Sequence, residues 1–193
     1  MIGKSLFIGE QIEWTALDPE KDAEMLSAWT QNPFFSSQLF RKPARPYAVH
    51  EVKKKVKEDL KEADEKRNAY FFAIRIKGTK EMVGLLKFGL SHVSMQMANI
   101  YLFFSSSDSL KQFGAEVMGM ALRYGFMELS MYRLWIGLPG YLMDEINLYE
   151  SAGFLRESQF REASFHEGKF YDLLGYSLLK PEWKKKQQEE VAA

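Results

Sequence analysis

Three short stretches of this chain carry residues suited to chemistry at a small-molecule site. Leu148-Tyr149-Glu150-Ser151-Ala152-Gly153-Phe154 closes a short helical pattern on a glycine. Gly114-Ala115-Glu116 lies upstream in a longer helical pattern, and Phe170-Tyr171-Asp172 lies downstream in a strand pattern. A phenol has an ordinary pKa of about 10, so it keeps its proton near neutral pH and can give it to a departing anion. Main-chain N–H groups at a helix start attract phosphate, and glycine lets a ligand approach the backbone closely. Other chemistry is sparse. His50, His92 and His166 lack metal-ligand spacing and have no carboxylate cluster beside them. Cysteine is absent, which excludes disulfides, thiolate metal sites and a cysteine nucleophile together. Neither a Walker loop nor a Gly-x-Ser-x-Gly elbow is present.

Stepping from these residues to the chain that must position them, 193 residues suit one compact domain. We expect it to span residues 1–183, with 184–193 as a charged, frayed tail. Lys+Arg and Asp+Glu are equal at 26 each, so no bulk field draws the chain to nucleic acid or an anionic membrane. The basic run Lys53-Lys54-Lys55 with Lys57 is interrupted by Glu51, Glu58, Asp59 and Glu62 and reads as a solvated helix face. No leader pattern and no apolar run near 20 residues stands out, so the expectation is a cytoplasmic protein with no membrane segment.

The periodicities predict an opening strand over 6–17 and a helix starting at Asp18-Pro19, with Met25, Leu26 and Trp29 on one face. Asn32-Pro33 ends that helix, and 34–46 reads as a loop. Val49, Val52, Val56, Leu60 and Ala63 mark a second helix. Strands are expected over 70–76, 82–88 and 95–104, then a helix from about Phe113 to Leu129 and a strand over 132–138. A short helix over 143–151 and a hairpin of 155–165 with 169–179 complete the order. Antiparallel runs joined to crossover helices imply an α+β fold with a mixed, mostly antiparallel sheet of about seven strands flanked by helices.

This order resembles the GNAT superfamily of N-acetyltransferases, and within it the branch that includes ribosomal-protein N-terminal acetyltransferases. The resemblance runs from Ile12 to Trp183. It rests on Gly114-x-Glu116, Tyr124-Gly125-Phe126-x-Glu128-Leu129, Tyr132-Arg133-Leu134, Leu148-Tyr149-Glu150-x-x-Gly153-Phe154 and Gly168-Lys169-Phe170-Tyr171-Asp172. It implies acetyl-coenzyme A as cosubstrate and a primary amine as acceptor: a protein N-terminus, an amino acid or a small amine. In the family, the pyrophosphate sits on the helix start expected near Phe113. Carried over, the phosphate-binding residues are Ser109, Lys111, Gln112, Phe113, Gly114 and Ala115. The family pattern is Arg/Gln-x-x-Gly-x-Gly/Ala. Here Ser109 stands for Arg or Gln, Gln112 for the first glycine, and Leu110 for another common glycine, so the loop is degenerate.

The resemblance also makes Tyr149 the acid that protonates the leaving thiolate. It places the main chain of Leu102, Phe103 and Phe104 along the pantetheine arm, in a gap between two splayed strands. Leu142 stands where an asparagine often contacts the cofactor, and Glu145 where a small residue is usual. The family's strand carboxylate is missing from 95–104, and Asp108 beyond it reads as a helix-start acid. His92 is a turn histidine that could act as base through water. Phe34, Phe35, Phe40 and Tyr47 lie in the loop that caps the acceptor entrance in relatives, where aromatics serve equally as lid, core or dimer surface. Dimers are common among relatives, so a homodimer is implied by resemblance alone. The altered loop also motivates a non-catalytic alternative, a GNAT-fold ligand-binding or protein-interaction module. A longer-chain acyl donor is a third reading, with Leu142 and Phe103 lining its site.

Overall fold

Alternating apolar residues lay down strands whose joining is described by a computed structural model covering residues 5–39, 43–90 and 95–192. The strands are β1 (Ile12–Thr15), β2 (Ala69–Ile76), β3 (Met82–Leu90), β4 (Met97–Phe104), β5 (Arg133–Pro139), β6 (Leu155–His166) and β7 (Lys169–Leu179). One sheet takes them in the order β1-β2-β3-β4-β5-β7-β6. Every junction is antiparallel except β4–β5, which is parallel. The helices are α1 (Ala23–Trp29), α2 (Pro33–Gln38), α3 (Val49–Lys66), α4 (Ser107–Arg123), α5 (Met143–Ala152) and α6 (Lys180–Ala192). The expected seven-stranded, mostly antiparallel sheet with flanking helices is therefore what forms.

Burial alternates strictly along β4, with Ala98, Ile100, Leu102 and Phe104 buried. These residues join Leu110, Phe113, Val117 and Ala121 of α4, and Ile146 and Tyr149 of α5, in the larger core. A smaller cluster on α1 and α3 (Ala23, Leu26 and Val52) packs with Ala73 and Met82. Each large apolar side chain buried this way contributes about 1.5–3 kcal/mol.

The β4–β5 junction creates the feature on which the site depends. These strands pair only at Met97–Asn99 with Arg133–Trp135. Beyond that point β4 stays bonded to β3 as far as Phe104, and β5 stays bonded to β7 as far as Pro139. Each strand is held by its outer neighbour, so a gap opens between the inner edges.

Several boundaries differ from expectation, each for a local reason. β1 is shorter than 6–17 because residues 7–9 fold back on it, with Trp14 N–H donating to Phe7 O at 2.7 Å. Asp18 caps a turn instead of a helix, its carboxylate accepting from Glu20 N–H at 2.9 Å. α1 then starts at Ala23. The stretch expected as a loop contains α2, nucleated by Pro33 and by Asn32, whose side chain accepts from Phe34 N–H at 2.9 Å. α4 begins at Ser107, well before the expected Phe113, because Ser106 Oγ accepts from Ser109 N–H at 3.1 Å. The helix continues through a π-helical turn, Tyr124–Glu128. Residues expected as a frayed tail are helical through Ala192. Glu182 caps α6 by accepting from Leu179 N–H at 2.8 Å, and Trp183 packs on Phe126 at 5.3 Å. Phe40 and His92 lie outside the described residues.

Candidate functional site

The gap between β4 and β5 exposes the inner edge of β4, and backbone alternation decides which groups face it. Ser105 N–H donates to Val83 O on the β3 side, and the Phe103 carbonyl also lies against Gly84 of β3. Ile100, Leu102 and Phe104 therefore turn their main-chain groups to the gap. Of the three residues expected to line it by main chain, Leu102 and Phe104 do so. Phe103 instead sends its ring to the other face, parallel to Tyr101 at 6.4 Å and 6.5 Å from Phe35.

Tyr149 enters the gap from α5. Gly153 ends that helix in the left-handed region, φ 103°, which fixes how α5 lies across the strand ends. The phenol is 2 % exposed, and its Oη donates to Ile100 O at 3.2 Å. Burial pushes its pKa far above the ordinary phenol value, against a lowering contribution from the Leu102 backbone. Tyr149 is thus a protonated donor held on the β4 main chain.

Gln38 enters from the opposite side, on α2. It is 4 % exposed, and its amide brackets the end of β4. Phe104 N–H donates to Gln38 Oε1 at 3.0 Å, and Gln38 Nε2 donates to Phe104 O at 2.9 Å. This is the bonding one peptide unit gives another across a sheet, supplied here by a side chain.

Tyr141 stands between the end of β5 and the start of α5. Its Oη donates to Ser37 O at 3.0 Å, its ring stacks on His166 at 4.2 Å, and Tyr171 meets it edge-on at 5.1 Å. Ser164 lies beside its phenol. Glu145, in the first turn of α5, is 5 % exposed. Its Oε1 has no hydrogen-bond partner. Burial raises the Glu145 pKa, the neighbouring Asp144 adds to the rise, and a bond to its own backbone N–H opposes it.

The expected phosphate residues are all on α4, whose start at Ser107 precedes them. Ser109, Lys111, Gln112, Phe113, Gly114 and Ala115 occupy its first turns, with Phe113 and Gly114 buried. A Cβ on Gly114 would meet Leu148 of α5 at 3.2 Å, so the glycine serves close helix–helix packing. Glu116 accepts from Gln11 N–H at 3.1 Å and anchors the segment before β1. The actual helix start is a serine cluster, with Ser109 Oγ 3.0 Å from Ser106 Oγ and 3.3 Å from Ser105 Oγ. Lys111 lies 3.6 Å from Asp144. Asp108 sits in the first turn of α4, as an acid at a helix start.

The entrance aromatics within the described residues are packed. Phe35 is buried 5.3 Å from Trp29, Phe34 rests on the larger core, and Tyr47 carries the Arg45 guanidinium 3.8 Å above its ring. Gln38, Tyr141 and Ser164 escaped the reading by sequence, and His166 is read there only as lacking metal-ligand spacing. Glu145 had only its departure from the usual small residue to mark it.

No curated protein matches the chain by sequence. Among solved structures, the spermidine N-acetyltransferase from Vibrio cholerae, in complex with CoA and spermine, superposes with a TM-score of 0.76. It is 19 % identical, with 90 % of this chain and 98 % of that one covered. A protein described as a probable acetyltransferase superposes with a TM-score of 0.77 at 24 % identity, covering 91 % of this chain and 96 % of its own. A family model described as the acetyltransferase (GNAT) domain matches residues 15–139. That span holds β2 to β5 and the whole of the gap's β4 edge, and the chain belongs to the GNAT acetyltransferase family, whose cosubstrate is acetyl-coenzyme A.

Proposed function

We propose that this chain transfers an acetyl group from acetyl-coenzyme A to a primary amine by direct attack, with no covalent enzyme intermediate. The observation that carries this is the buried, protonated Tyr149 phenol fixed on the β4 main chain inside the gap. The gap fits an extended amide-bearing arm, because Leu102 and Phe104 present main-chain groups along it. The bound cosubstrate would supply a thioester whose carbonyl carbon is open to attack. Leu102 and Phe104 would orient that arm by main chain, and the Phe103 ring would line the opposite face. Tyr149 would hold its proton at Oη until a thiolate leaves. Ser109 and Lys111 lie on the exposed side of the α4 start, where an anionic group would meet N–H dipoles and hydroxyls. Gln112, Phe113, Gly114 and Ala115 would then support the cradle from within the helix.

The branch resemblance supports a protein N-terminal amine as acceptor. The V. cholerae enzyme, bound to CoA and spermine, supports a small polyamine. Both are primary amines. Titration calorimetry with coenzyme A and acetyl-coenzyme A is expected to give a Kd on the order of micromolar, equivalent to about 8 kcal/mol. Thiol release across peptides, amino acids and polyamines then identifies the acceptor. No binding at millimolar coenzyme A would overturn the reading.

A second reading is favoured by one specific feature. α4 runs through the stretch where the phosphate loop is expected, so the cradle is a serine cluster without glycine. On that reading the fold is a ligand-binding or interaction module. Coenzyme A binding without turnover of any amine would support it.

A further inference from the structure

Three carboxylates are deeply buried among the described residues, and they are treated differently. Glu13 is bonded by Lys80 at 2.6 Å and Asp22 by Arg75 at 2.6 Å, whereas Glu145 Oε1 is bonded by nothing. Burying a carboxylate oxygen without a donor is costly, the bond to its own backbone N–H answers only part of the Glu145 charge, and an alanine at this helical position would avoid the cost. The groups that could compensate do not. Asp144 repels, Lys111 lies toward Asp144 at 3.6 Å, and the facing phenols of Tyr141 and Tyr149 are spent on Ser37 O and Ile100 O. Glu145 precedes Tyr149 by one helical turn, so both side chains leave α5 on the same face, and the charge of Glu145 is felt at Tyr149 and Tyr141. Ser164 lies across Tyr141, its hydroxyl beside the phenol. An unpartnered carboxylate oxygen thus lies on the Tyr149 side of α5, with Tyr141 close enough to feel its charge. It calls for a ligand rich in N–H donors.

Resting on the acetyl-transfer reading, we propose that Glu145 is the base that takes protons from the acceptor ammonium and thereby selects cationic primary amines. The Glu145 carboxylate removes one proton from R–NH3+, and the freed lone pair forms the N–C bond to the thioester carbon. The tetrahedral species collapses, the C–S bond breaks, and Tyr149 gives its proton to the departing sulfur. Protonated Glu145 restores the Tyr149 proton, then takes the second proton from the acylated nitrogen and releases it to solvent. The sum is ammonium plus thioester giving amide, thiol and one proton. Burial suits Glu145 to this work, because a raised pKa makes the carboxylate a stronger base than its exposed counterparts.

The test is the pH profile of kcat/KM with the best amine, for the parent protein, Glu145→Gln and Glu145→Ala, alongside calorimetry with coenzyme A. Glu145→Gln should lose about 100-fold or more in kcat and the acid limb of the profile, with Kd for coenzyme A within about threefold. The loss should shrink for a weakly basic amine that is already neutral at the assay pH. Its melting temperature should match or exceed that of the parent, because a buried charge is removed. Glu145→Ala should fail in the same way. Near-parental turnover with the acid limb intact would overturn the assignment. So would a defect confined to coenzyme A affinity, which would move Glu145 to the cosubstrate and leave the transferase reading standing. A parent protein that binds coenzyme A yet acetylates no amine would sink that reading and this assignment with it.

Discussion

The two ends of the sheet treat buried polarity in opposite ways. Around β1, β2 and α1, Asp22 accepts from Arg75 and from Asp18 N–H at 2.9 Å, and Arg75 Nε also donates to Thr15 Oγ1 at 2.9 Å. Glu13 is closed by Lys80 in the same region. Around the β4–β5 gap, Glu145 Oε1 is left without a partner, and a strand end is satisfied only by the Gln38 side chain. A buried indole nitrogen without a partner, Trp14 Nε1, belongs to a ring packed against those of Phe72 and Tyr124. A saturated network defines one geometry and adds stability, whereas unanswered groups at the rim of an opening lower stability and favour a visiting ligand. One end is built to stay, the other to receive.

The sharpest way to break this contrast is Tyr149→Phe. Turnover should fall about 100- to 1,000-fold while coenzyme A affinity stays within about threefold, measured by thiol release and calorimetry. Unchanged turnover would remove Tyr149 from the proton path. Next comes Asp22→Ala at the saturated end. It strands Arg75, whose side chain is 16 % exposed, and should cost about 3 kcal/mol in urea denaturation without changing kcat below the transition. Replacing Asp22 and Arg75 together by apolar residues should cost much less, since no charge is then left behind. The smallest effect is expected for Gln38→Ala. Losing both bonds to Phe104 should cost about 1–3 kcal/mol, again in urea, and the deficit should narrow in saturating coenzyme A. A deficit that coenzyme A leaves untouched would show that Gln38 and the ligand do not compete for the same main-chain groups.

Local pattern revealed much of this architecture. The apolar run over 95–104 was legible as a strand, although which of its residues are buried shows only in the fold, and Tyr149 was placed on its helix by the Gly153 stop. Helix starts were harder. The run Ser105-Ser106-Ser107-Asp108 looks like a break, yet Ser106 caps α4 and extends it back across the expected phosphate loop. α2 has only six residues, too few to show a period, and Asn32-Pro33 reads as a stop until its side chain is seen capping the next helix. The Lys- and Glu-rich α6 has no apolar stripe, so only Trp183 on Phe126 reveals that it docks. At the site, Gln38 was invisible because its meaning lies 66 residues away at Phe104. Glu145 looks like an ordinary acid in a first helical turn, and only its buried, unbonded Oε1 distinguishes it.

The Gln38 bracket has a mechanical consequence under the acetyl-transfer reading. An arm that pairs with Phe104 must first evict a glutamine amide, exchanging one peptide-like partner for another at nearly matched enthalpy. The evicted side chain belongs to the short helix whose Ser37 carbonyl also tethers Tyr141 at the opposite lip. Loading the donor would therefore tug on the acceptor's doorway through a single turn of helix, giving the protein an inherent order in which its two substrates arrive.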